Sequence, residues 1–86
     1  MEFERIRRLT QDERAELKLE DLTMSEMKSV IGETILTDEN IKIAELRFLK
    51  LCTAEKIAEK LGYDDRTIAS RIRFIKERLR NTILNV

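Results

Sequence analysis

The apolar residues toward the C-terminal end of the chain recur with a helical period. Ile68, Ile72, Ile75 and Leu79 stand four, three and four apart, which places them on one face of a helix turning every ~3.6 residues. With Asp64 as a capping carboxylate, this spacing predicts the longest helix, over residues 65–81. Before it, Ile57, Ala58 and Leu61 form the inward face of a short helix that Thr53 caps and Gly62 ends. Ile43, Leu46 and Leu49, with Phe48 beside them, bury one side of another helix. Thr37 opens that helix, with Asp38 and Glu39 at its positive end. Thr23 and Glu26 have capping-box spacing, and Leu22 and Met27 stand at the staple positions. Met24, Met27, Ile31 and Ile35 are the predicted inner face of the helix that follows, with Gly32 near its end. Residues 2–20 are charge-dense, with Phe3, Ile6, Leu9, Leu17 and Leu19 as apolar points. They predict helix, broken near Thr10, where Thr10 and Glu13 repeat the capping-box spacing. The expected fold is all-α, with about four or five helices.

Composition narrows the function classes. Two glycines and no proline disfavour the tight turns of an all-β domain. An 86-residue chain supports one small core. No apolar run approaches the ~20 residues of a membrane span, and the chain opens on charges instead of an apolar signal core. One cysteine, Cys52, excludes an internal disulfide and suits a reducing cytoplasm, where it is expected buried and inert. Without histidine, zinc sites and His-based acid–base chemistry lose their main ligand and base. The expectation is a cytoplasmic protein that is not an enzyme, with no metal, no cofactor and no membrane partner.

Charge is asymmetric behind a net of zero. Through Glu45 the chain carries 7 Lys/Arg against 12 Asp/Glu, and from Leu46 onward 10 against 5. A basic half beside an acidic half points to one end that meets a polyanion. The ordinary alternative is two solvated helical faces of opposite sign attracting each other, and charge alone does not separate the two.

The stretch from Thr53 to Leu79 carries the most information. A short helix, a turn containing Gly62 and a second helix with a basic outer face describe a helix-turn-helix. Ala58 is small where the helices cross, and Ile57, Leu61, Tyr63 and Ile68 close the wedge between them. Arg66, Arg71, Arg73, Lys76, Arg78 and Arg80 on the outside favour DNA binding over a structural hairpin. The strings LTDENIKIAELRFLK, TAEKIAEKLGY and DDRTIASRIRFIKERL resemble the C-terminal promoter-binding region of bacterial sigma factors, over about half the chain. The matching elements are Leu46-Arg47-Phe48, Ile57-Ala58-Glu59-Lys60-Leu61-Gly62 and Thr67-Ile68-Ala69-Ser70-Arg71-Ile72. LuxR-type response-regulator modules share much of this pattern. Two departures stand out. Leu51-Cys52 replaces the glycine that usually ends the preceding helix, so the linker differs or the helix runs on. Ala69 stands where many relatives place a polar or basic residue facing a base.

The resemblance implies that the start of the last helix enters the major groove of double-stranded DNA. Asp65, Arg66, Ala69, Ser70 and Arg73 then lie near base edges, and Thr67, Arg71 and Lys76 lie nearer phosphates or helix packing. Arg66 is the candidate for a bidentate contact to guanine, and Arg47 for a contact to the DNA backbone. Asp65 either accepts from a cytosine amino group or favours the helix N-terminus, the ordinary role. The expected function is a small transcription regulator of bacterial, phage or mobile-element type. The alternative is a sigma-like interaction module that binds RNA polymerase or another host protein. Residues 36–86 are the expected DNA-binding domain, and residues 1–35 a helical extension offering a partner or oligomer surface. A homodimer is expected through Leu79, Ile83 and Val86 at the end of the last helix, against a tail folded back onto the N-terminal helices.

Overall fold

Five side-chain caps divide the chain into its helices. Thr10, Thr23, Thr37 and Thr53 accept through Oγ1 from the backbone N–H three residues on, and the Asp64 carboxylate accepts from Arg66 N–H. At Thr10 and Thr23 the glutamate at the third helical position reaches back to the cap's own N–H, which completes a capping box. The computed structural model describes residues 3–86, which are all-helical. In chain order the elements are α1 (Glu4–Arg7), α2 (Gln11–Glu16), a 3₁₀ turn (Leu19–Asp21), α3 (Met24–Glu33) and α4 (Asp38–Ala44). A π-helical turn (Glu45–Leu49), α5 (Ala54–Leu61) and α6 (Asp65–Asn85) follow. The first predicted helix begins at Glu4; Glu2 lies outside the described residues.

The long helix organises the rest. Its 21 residues span about 31 Å at ~1.5 Å per residue. That exceeds the 20 Å cross-section of the molecule, so α6 runs along the 40 Å axis. Ile68, Ile72, Ile75, Leu79 and Ile83 are its buried stripe, and α2, α3, α4 and α5 all pack on it. Ile43, Ile57 and Val30 are fully buried across from that stripe in one continuous cluster. Gly62 ends α5 at φ 77°, a left-handed conformation that a Cβ would disfavour.

Three expectations are corrected. The first concerns α3, whose buried face is Met27, Val30 and Ile31, with Met24 and Ile35 exposed. Helical periodicity stops at Thr34, which leaves the helix in an extended conformation, so Ile35 no longer belongs to the stripe.

The second concerns the C-terminal seam. Leu79 and Ile83, expected between two copies, are buried within the chain, and Val86 is half-buried. The chain's own N-terminal segment covers them. Arg14 donates from Nη1 to Val86 O (2.7 Å) and Gln11 donates from Nε2 to Leu84 O (3.2 Å). Arg80 donates to Ala15 O (2.9 Å) and Leu17 O (3.2 Å), carbonyls that end α2. The tail folds back, as the alternative reading had it, because these side chains satisfy helix-end carbonyls that the stripe alone does not.

The third concerns the boundary at residues 35 and 36, which does not divide the core. Phe3, Ile6 and Leu19 belong to the same buried cluster as Ile57 and Ile75. The N-terminal segment thus contributes side chains to the core as well as exposed surface.

The departure at Leu51-Cys52 is resolved locally. The helix does run on, as the wider π-helical turn, and Leu51 then takes φ 57°, the left-handed conformation usually given to glycine. Cys52 is half-buried, and its carbonyl accepts from Arg47 Nη1 at 3.0 Å.

Candidate nucleic-acid interface

The exposed side of α6 separates into three strips once its stripe is buried. At ~100° per residue, Arg66, Ser70, Arg73 and Glu77 project directly away from the core. All four are exposed. Asp65, Ala69 and Lys76 fall on one flank, and Thr67, Arg71, Phe74 and Arg78 on the other. The candidate base-reading residues Arg66, Ser70 and Arg73 therefore share one strip, with Asp65 and Ala69 beside it. Arg66, Arg73 and Lys76 make no ion pair among the described residues.

Arg71 and Lys76, grouped by the sequence as possible phosphate contacts, point to opposite sides. Arg71 turns toward the start of α4. Its Nη1 pairs with Glu39 Oε1 and donates to Asn40 Oδ1 at 3.3 Å, while its guanidinium lies 5.4 Å from the centre of the Tyr63 ring. The Tyr63 hydroxyl donates to the other Glu39 oxygen. Glu39 is held below the ordinary carboxylate range, first by the Tyr63 hydrogen bond and then by Arg71. The Tyr63 hydroxyl is correspondingly pushed up, chiefly because Glu39 accepts its proton in a hydrogen bond. Arg71 thus fixes the α5–α6 turn onto α4, the packing role among its two expected ones. No sequence signal pairs it with Glu39, because the two are 32 residues apart.

Lys76 faces the π-helical turn. It lines a groove of about 450 Å³ together with Arg47, Phe48 and Leu51, closed on the far side by Leu22, Met24 and Met27. The structure therefore brings Arg47 and Lys76 together, away from the strip of Arg66 and Arg73. Arg78, counted among the outer basic residues, covers the half-exposed Phe74 ring at 5.9 Å. Arg80 is engaged by the carbonyls of the α2 end. Of the six basic residues on α6, Arg66, Arg73 and Lys76 stay available to an external anion.

Among the described residues, no group of three or more acidic or cysteine side chains converges to hold a metal ion. No helix there is long and apolar enough to cross a membrane. No family model, curated protein or solved structure matches the chain.

Proposed function

We propose that this chain is a small DNA-binding transcription regulator in which α5 and α6 act as a helix-turn-helix. The first turns of α6 read a short operator or promoter through the major groove. The observation that carries the reading is the exposed strip of Arg66, Ser70 and Arg73 on α6, whose two arginines have no ion-pair partner among the described residues. Arg71 and Arg80, by contrast, are engaged in packing. In this reading Arg66 is the bidentate donor to a guanine edge, Ser70 and Arg73 contact neighbouring bases or phosphates, and Asp65 supports the helix N-terminus. Lys56 and Lys60, exposed on α5, lie where the first helix of such a motif crosses the DNA backbone.

The test is selection of bound sites from random duplex DNA, followed by titration of the chosen site across salt concentrations. Specific binding with a negative slope of log affinity against log salt supports the reading. Absence of duplex binding at low salt overturns it. A second reading, a module that binds RNA polymerase or another host protein, draws on the half-exposed Phe74 beside the α6 strip and on the exposed Ile35. Capture of RNA polymerase without any duplex affinity favours that reading.

A further inference from the structure

We infer that the groove between the start of α3, the π-helical turn and α6 docks an acidic peptide segment of a partner protein. A bulky apolar side chain of the peptide sits between Met27 and Phe48, and its carboxylates meet Arg47 and Lys76. The site is distinct from the α6 strip assigned to bases.

Three observations support the groove as a binding site. Its volume of about 450 Å³ lies within the ~300–1,000 Å³ usual for ligand pockets. Its floor is apolar, and two rim side chains remain in solvent, Met24 at 51% and Leu51 at 75% exposure. Methionine and leucine rims adapt to an apolar partner, and methionine is favoured on surfaces that accept helices or peptides. The third observation is the backbone of one wall. Glu45–Leu49 forms a π-helical turn, and Leu51 is the one non-glycine residue with positive φ among the described residues. Wide turns and left-handed side chains are disfavoured and gather where a ligand uses them. Here they hold Phe48 and Leu51 against the same opening.

Charge selects the occupant. Arg47 and Lys76 line the groove against the single carboxylate of Glu20, and Lys76 has no ion pair among the described residues. Among the described residues Arg47 is oriented by one bond, from Nη1 to the Cys52 carbonyl, and its other N–H groups can meet an incoming carboxylate. Apolar rim side chains are exposed on both sides, Met24 from α3 and Leu51 beside the turn. An amphipathic peptide covers both rims, whereas a small carboxylate filling the floor leaves them in water. Lys76 is also a phosphate candidate, so under the DNA-binding function proposed above an occupied groove weakens DNA binding.

The experiment titrates the full chain into a fluorescently labelled helical peptide of about 16 residues, with leucines at i, i+3, i+4 and i+7 and glutamates on the flanks. The expected result is saturable binding that weakens with salt. Leu51→Gly, Met24→Glu and Lys76→Glu should each weaken it by about tenfold or more. Leu51→Gly separates docking from folding, because it relieves the left-handed strain and should raise the unfolding midpoint while it lowers peptide affinity. Equal binding of a peptide with lysines in place of the glutamates, or unchanged affinity in Leu51→Gly, overturns the inference. Displacement of the peptide by decanoate at equal affinity overturns it too, in favour of a small amphipathic ligand. Peptide binding without any duplex binding leaves the docking site standing and removes the DNA reading.

Discussion

Arg5 and Glu26, 21 residues apart, form a two-pronged ion pair. Arg5 Nε donates to Oε2 and Nη2 to Oε1, both at 2.8 Å. The same Oε1 accepts from Thr23 N–H at 2.9 Å, so one carboxylate caps α3 and ties it to α1. Its side chain is 7% exposed and that of Arg5 is 49% exposed. Glu26→Ala should therefore destabilise the fold by about 2 kcal/mol, through lost cap and charged hydrogen bonds. Arg5→Ala should cost about 1 kcal/mol, because its solvent-facing half screens the pair. Glu26 is held below the ordinary carboxylate range, mainly by its bonds from Arg5. A depressed folded pKa means that this stability is present above an unfolded value of ~4.3 and is lost as pH falls through the folded one. Thermal melts between pH 6 and pH 2 check this: the wild type should lose more stability on acidification than Glu26→Gln.

The N-terminal segment is expected to behave as core. Ile6 is fully buried, and Ile6→Ala should cost about 2–5 kcal/mol, the usual range for a large-to-small core change. Removing residues 1–21 should unfold the chain, as circular dichroism would show. Leu79→Glu and Ile83→Glu should likewise unfold it, since each puts a charge inside the molecule. If sedimentation instead finds a folded monomer for either variant, the covering of α6 described above is wrong.

At Leu51 a glycine should stabilise. The side chain makes little contact at 75% exposure, and its φ of 57° is disfavoured for any residue with a Cβ. Relief of that strain contributes about 1 kcal/mol, less the entropy that glycine adds to the unfolded chain. Urea denaturation of Leu51→Gly should show a higher midpoint with an unchanged slope.

Tyr63 is the one tyrosine in the chain, so its ionisation can be followed directly by ultraviolet absorbance. Its midpoint should lie above the ordinary ~10 and move back toward it in Glu39→Gln. Because the folded pKa is raised, the contribution of this bond is present below pH ~10 and is lost as pH rises through the folded value. A midpoint unchanged in Glu39→Gln would show that the Tyr63 hydroxyl does not donate to Glu39 in solution.

On DNA, Arg66 and Lys76 should behave differently. Arg66→Ala should cost about 1–3 kcal/mol on the selected site and relax one base position. Lys76→Ala should weaken cognate and scrambled duplexes alike and reduce the salt slope by ~1. Titrations of both variants on both duplexes decide this, and equal loss on the two duplexes in Arg66→Ala removes its base role.

Local chemistry in the sequence determined the helical class, the five caps, the Gly62 turn and the Ile68–Leu79 stripe. Each depends on residues within one or two helical turns, where hydrogen-bond geometry and the helical repeat suffice. What covers the stripe was decided only by the tertiary structure. The same apolar residues, Leu79 and Ile83, suit a second copy or the chain's own tail. Gln11, Arg14 and Arg80, reaching helix-end carbonyls 63 to 73 residues away in sequence, select the second. Likewise Arg71 and Lys76 read as equivalent cations until folding turns one toward Glu39 and the other into a groove with Arg47. A charge's position along a helix is written in sequence, but its partner depends on which distant element packs beside it, and that is set by burial of the whole core.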